Sequence, residues 1–109
     1  MSPTALGVLL VVAATVTEGF AQTSLKKSTE GANRELWIGL GIALFVVEIA
    51  IYTGALRLLD VSTAFPIGSL SFVTATLLSQ WLLGETVTRM RWIGVCLILV
   101  GTGLIVAHA

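Results

Sequence analysis

Charge punctuates this chain so sparsely that it leaves four long apolar runs. Residues 1–25 hold one charged side chain, Glu18, and Leu36–Leu56 hold one, Glu48; Val61–Gly84 and Trp92–Ala107 hold none. A membrane-spanning helix needs about 20 predominantly apolar residues. The first three runs reach that length, and the fourth has 16, or 17 if Arg91 snorkels to the interface. Strand alternation is absent, and four short spans cannot close a barrel. The pattern predicts an all-α membrane protein: one transmembrane domain over residues 1–109, with helices at about 4–25, 36–57, 61–84 and 91–107.

Composition closes the other routes. Of 109 residues, 56% are hydrophobic and 11% charged, against about 25% charged in an ordinary globular domain. A soluble domain this small would leave much of that apolar surface in water. Six basic side chains balance six acidic ones, which excludes a basic nucleic-acid binder and an acidic tail. The chain has one cysteine, Cys96, and one histidine, His108, with no CxxC or Cys/His spacing. No metal site, cofactor, catalytic residue or covalent chemistry is expected. The first run lacks a positively charged start and is interrupted by Glu18, so it is read as a helix that stays rather than a cleaved signal.

The basic residues set the expected orientation. Lys26, Lys27 and Arg34 lie between helices 1 and 2, and Arg89 and Arg91 between helices 3 and 4; the opposite side holds only Arg57. The positive-inside rule places the two basic connections in the cytoplasm and both termini outside. A five-to-one bias argues for a single orientation.

Glu18 and Glu48 carry the most information. Glu18 precedes Lys26 by eight residues and Glu48 follows Leu36 by twelve, about 12 and 18 Å along a helix, so both fall near the midplane. Intramembrane acids are costly and usually face a protein interior or a wet cavity. Thr15, Glu18, Gln22 and Lys26 form a stripe about 80° wide, suited to guiding a polar or anionic headgroup, with Lys26 meeting phosphate at the entrance. The plainer alternative is helix–helix hydrogen bonding, with Lys26 as an interface anchor. Glu48 shares a face with Gly41, Tyr52 and Ala55; it either bonds Tyr52 or faces the cavity opposite Glu18.

Ser62, Ser69, Thr76 and Gln80 fall within about 40° on helix 3, where they serve either sugar hydroxyls or packing. Pro66 frees the carbonyl of residue 62, and Gly68 softens the same turn, so Pro66 and Gly68 are the candidate hinge. On helix 4, Gly94 and Gly101 lie seven residues apart on one face, with Leu97 between them, an assembly surface rather than a pathway wall.

These residues resemble a family. Thr17-Glu18 through Gln22 to Lys26-Lys27-Ser28 is similar to helix 1 of the small multidrug resistance transporters, which carry a membrane-embedded glutamate and a lysine eight positions on. Gly94-x-x-Leu97-Ile98-x-x-Gly101 resembles that family's dimerisation motif. Asp60–Ile67, Leu83–Thr88 and Arg91–Gly94 resemble the wider drug/metabolite transporter superfamily. Where multidrug members box a lipophilic cation with Tyr and Trp, this chain has Phe65 and Gly68, which points away from polyaromatic drug export. Ala64-Phe65-Pro66 through Ser69-Leu70-Ser71-Phe72-Val73 is similar to the aminoarabinose–undecaprenyl phosphate flippase subunits, as is Gln22 before Lys26. Glu18 departs from those subunits, which generally have a small or apolar residue there.

The resemblance implies a transporter that flips a polyprenyl-phosphate-linked sugar, or a related phosphoglycolipid, between leaflets of a bacterial inner membrane. Glu18, Gln22, Lys26, Glu48, Ser69 and Ser71 are the expected substrate contacts, with Glu18 also the proton-coupling candidate. The expected partners are the lipid substrate and a second subunit, identical or paralogous, held through Gly94, Leu97 and Gly101. The competing readings are a proton-coupled exporter of small cations and a non-transporting subunit of a membrane glycolipid enzyme.

Overall fold

The computed structural model describes residues 2–108 and is helical apart from short connections. Five helical segments follow in order: α1 (Pro3–Lys27), α2 (Arg34–Leu56), α3 (Val61–Gly68), α4 (Leu70–Leu82) and α5 (Arg89–Ala107). Four units are long and apolar enough to cross a membrane, with α3 and α4 together forming the third, Val61–Leu82. The protein is a multi-pass membrane protein.

Local chemistry sets the ends. The Ser2 side chain accepts from the Ala5 N–H and Pro3 occupies the first turn of α1, where its missing N–H costs nothing. Thr88 caps α5 by accepting from the Arg91 N–H at 3.3 Å. That cap starts the helix at Arg89, ahead of the start expected from the apolar run, and lengthens it to 19 residues. At the end of α4, Gly84 adopts a left-handed φ of 68°, which glycine does without strain. The chain then turns back so that the Glu85 N–H donates to the Ser79 carbonyl at 3.1 Å.

The third span is interrupted at Ser69, three residues after Pro66. Pro66 has no N–H to give the Ser62 carbonyl. The Ser69 N–H and hydroxyl both donate to the Pro66 carbonyl, and the Phe72 N–H to the Ser69 carbonyl, tightening one turn before α4 resumes. The interruption therefore sits beside Gly68.

α1 is the central helix, packed against α2, α3 and α4, while α2 leans on α1 and barely meets α3; α5 packs on α3 and α4. The tightest core, Val11, Ala55, Leu59, Ala64 and Ile67, lies where the start of α1 meets the α2–α3 corner. Gly19 allows a close approach of α1 to α4: a Cβ there would lie 2.7 Å from the Thr74 Cβ. Because α2 and α3–α4 flank α1 with little contact between them, a cleft runs between those walls with α1 as its floor.

Candidate functional site

The cleft encloses a cavity of about 300 Å³, at the low end of ligand-pocket sizes, about 300–1,000 Å³. α1 supplies Ala14, Thr15 and Glu18; α2 supplies Glu48 and Tyr52; α3, α4 and the turn between them supply Phe65, Gly68, Ser69, Ser71 and Phe72. Glu18 and Glu48 come from different helices and line the same space. The lining contains no lysine, arginine or histidine. Phe65 and Phe72 are 72% and 64% exposed, so they form the rim on the open side of the cleft.

Gln22 and Lys26 line a different, smaller cavity of about 130 Å³, with Thr23, Ala75, Ser79, Leu83 and Glu85. The close approach of Gly19 to Thr74 falls between the two spaces in the sequence order of both helices. The helix 1 stripe is thus divided: Thr15 and Glu18 face the larger cavity, Gln22 and Lys26 the smaller. The helix 3 stripe is divided more thoroughly, because its angles assume an unbroken helix. Of its four members Ser69 alone lines the larger cavity, while Gln80 faces a shallow groove beside Leu77, Leu78 and Trp81.

Several of the hydroxyls bond within their own helices. Thr15 donates to the Val12 carbonyl at 2.7 Å, Thr23 to Gly19 at 2.9 Å, Thr76 to Phe72 at 2.7 Å and Ser79 to Thr76 at 2.8 Å. Their protons are committed, so toward a sugar the Thr15 and Ser69 oxygens act as acceptors. Tyr52 differs: its hydroxyl oxygen is buried without a hydrogen-bond partner, an arrangement that calls for a ligand or water. Gly68 has nothing within 4 Å of where a Cβ would stand, and this vacancy is part of the cavity's volume.

Four of the lining residues, Glu18, Glu48, Ser69 and Ser71, were expected as substrate contacts, and three more were singled out in other roles: Thr15 in the helix 1 stripe, Gly68 as hinge and Phe65 by the family resemblance. Sequence reasoning placed Tyr52 beside Glu48 without assigning it to the cavity, and it missed Phe72, Ser79 and Glu85. Phe72 follows Phe65 by seven residues, two helical turns, a spacing that signals one face. Glu85 carries no such signal, since its position depends on the Gly84 turn.

The proposed assembly face lies elsewhere. Leu97 is 68% exposed, and Cβ atoms at Gly94 and Gly101 would meet nothing within 4 Å. Leu97 lines an open apolar groove with Arg89, Trp92, Ile93, Cys96 and Val100.

Among known proteins, the chain is 30% identical over 103 residues to a protein of Pseudomonas savastanoi pv. phaseolicola named "Probable 4-amino-4-deoxy-L-arabinose-phosphoundecaprenol flippase subunit ArnE", covering 85% of this chain and 90% of that one. It is 33% identical over 103 residues to the protein of the same name from Salmonella newport, 88% and 92% covered. A third relative of that name, from Serratia proteamaculans, is 37% identical over 65 residues, 60% of this chain and 56% of that one. No solved structure matches the chain. The EamA-like transporter family matches residues 2–107, and a four-span bundle with a cleft that holds two carboxylates is in keeping with a transporter: the chain belongs to the EamA-like transporter family.

Proposed function

We propose that this protein flips a polyprenyl-phosphate-linked sugar between leaflets. The observation that carries the reading is the larger cavity, a mostly apolar space along the middle of α1 into which two carboxylates are set, with exposed aromatic residues at its rim. A sugar headgroup cannot cross hydrocarbon unaided, whereas a prenyl chain is at home there. A cleft open between α2 and α3–α4 serves both: the headgroup lies against Glu18, Glu48, Ser69 and Ser71 while the chain trails past Phe65 and Phe72 into lipid. Lys26, in the smaller cavity with Gln22, receives the phosphate. The names of the relatives support the substrate class.

The experiment is leaflet exchange. Purified protein in liposomes is given a fluorescent polyprenyl-phosphate-linked sugar, and a quencher reports how much remains in the outer leaflet. Exchange well above that of protein-free liposomes is expected. The two-carboxylate lining favours one other reading, proton-driven export of small cations. Uptake of a quaternary ammonium driven by a proton gradient, with no exchange of the lipid, would establish that reading instead.

Placement in a bacterial inner membrane is proposed from the names of the relatives, and the charge bias supports an orientation with the α1–α2 and α4–α5 connections in the cytoplasm. With Cys96 replaced by Ser, cysteines at Lys27 and at Arg89 are expected to react with an impermeant maleimide from the cytoplasmic side alone. Equal labelling from both sides would establish dual orientation. A second subunit, identical or paralogous, is proposed to cover the α5 groove around Leu97, with Gly94 and Gly101 allowing the close approach. Pro66 and Gly68, flanking the Ser69 turn, are the proposed hinge for alternating access.

A further inference from the structure

We infer that Glu85 restricts the phosphate place at Lys26 to singly charged phosphate, so that a sugar-loaded carrier, a phosphodiester, is accepted and the bare carrier phosphate, a monoester, is refused. The inference rests on the flippase reading and adds how a loaded carrier is told from an empty one. Its basis is the smaller cavity, whose lining holds one cation, Lys26, and one anion, Glu85. At about 130 Å³ this space lies well below the about 300–1,000 Å³ of small-molecule pockets. It suits a phosphoryl group rather than a sugar.

A built turn delivers Glu85 there. Gly84, at a φ of 68°, folds the chain back after α4, and the Glu85 N–H donates to the carbonyl of Ser79 at 3.1 Å, itself a lining residue. The Thr23 and Ser79 hydroxyls donate their protons to the Gly19 and Thr76 carbonyls. The side-chain donors left for a phosphate are the Lys26 ammonium and the Gln22 amide. The neighbouring cations are engaged elsewhere: Lys27 stands over the Trp37 ring, 6.0 Å from its centroid, and Arg89 lines the α5 groove.

A phosphodiester carries a single negative charge, whereas a phosphomonoester carries about 1.5 to 2 at pH 7. Coulomb attraction is proportional to the ligand's charge, so Lys26 alone would favour the monoester. Glu85 opposes that attraction in the same proportion. The cost of taking the ligand out of water remains, and it grows faster than the charge, so it falls hardest on the monoester. Once a carrier has given up its sugar, the phosphate left on it is a monoester and the same cavity refuses it. Loaded carriers then meet no competition from empty ones.

The test uses two probes without a sugar, so that the larger cavity contributes equally to both: a short-chain polyprenyl phosphate and its methyl ester, which differ by a methyl group and about one charge. Their binding to the full-length chain is measured in nanodiscs of neutral lipid at neutral pH. The methyl ester is expected to bind about fivefold more tightly. Glu85→Gln removes the opposing charge. It is expected to raise affinity for the methyl ester about fivefold and for the monoester about 25-fold, because the gain compounds with charge, and the preference disappears. A purely structural effect of the substitution would move both probes together. Glu85→Asp, which keeps the charge, is expected to keep the preference. Equal or tighter binding of the monoester to the unmodified protein would overturn the inference and leave the flippase reading, which leaflet exchange decides, standing. A preference unchanged in Glu85→Gln would overturn the assignment to Glu85. Binding of neither probe would overturn the phosphate place at Lys26 and the inference with it; the flippase reading falls too only where leaflet exchange is absent. The comparison on the unmodified protein holds even if Glu85→Gln fails to fold.

Discussion

Glu18→Gln is expected to abolish flipping and to leave the protein folded. The carboxylate lies on the floor of the larger cavity, and the substitution keeps its shape while removing its charge. Removing one partner of a buried charge-assisted contact typically costs about 2–5 kcal/mol, so leaflet exchange should fall by roughly two orders of magnitude or more. Folding should tolerate the change. Among the described residues, none of the side-chain hydrogen bonds that brace the helices comes from Glu18; they come from Thr and Ser hydroxyls and from the caps. An amide is also cheaper than a carboxylate to hold at mid-membrane. Exchange in liposomes and the unfolding midpoint in detergent are measured on the same preparation. Normal exchange would make Glu18 part of the scaffold. Lost exchange with a lowered midpoint would mean that its role is structural.

What the sequence disclosed about this protein follows the range of the forces involved. Four spans were legible because hydrophobicity acts residue by residue, and an uncharged run of this length has few places to go other than a bilayer. The acids were legible for the converse reason: Glu18 and Glu48 stand out because hydrocarbon penalises them. The division of the helix 1 stripe was not legible. Thr15, Glu18, Gln22 and Lys26 do share one side of α1, yet a tertiary contact at Gly19 separates the first two from the last two, and helical angles say nothing of what packs between turns. The helix 3 stripe failed for a local reason. Once Ser69 bonds back to Pro66, the count of about 100° per residue no longer carries Ser62 into register with Thr76 and Gln80. The early start of α5 was readable in principle, since Thr88 precedes Arg91 by three residues, the spacing of a capping side chain; the length of the apolar run hid it.

The Gly19 contact supports the second large effect. Gly19→Val is expected to destabilise the protein by about 1–3 kcal/mol, the cost of overpacking a tight interface. A Cβ at position 19 would stand 2.7 Å from the Thr74 Cβ, nearer still to the Thr74 methyl, and 3.4 Å from the Ala75 backbone nitrogen. Rotating the Thr74 side chain moves its methyl but leaves its Cβ and the Ala75 nitrogen in place, so no rotamer change removes the clash and α4 must move away from α1. Gly39, also in a membrane span, has nothing within 4 Å of its would-be Cβ. Gly39→Ala should therefore be neutral or slightly stabilising, since alanine is the better helix former. Gly7 and Gly41 are intermediate cases, because there the facing atoms include the movable ends of Leu59 and Leu25. The clash can be isolated by pairing Gly19→Ala with Thr74→Gly, which removes the atoms in the way; a favourable coupling of about 1 kcal/mol or more is expected from the double-mutant cycle. Additive effects would place the cost of Gly19 substitutions somewhere other than Thr74. The contact also lies between the two cavities. A substitution that wedges α1 from α4 should therefore join the space around Glu18 to the space around Lys26. Thiol reagents that reach a cysteine at Gln22 should then reach one at Thr15 in Gly19→Ala faster than in the unmodified background, and unchanged access at Thr15 would mean that Gly19 is not the partition.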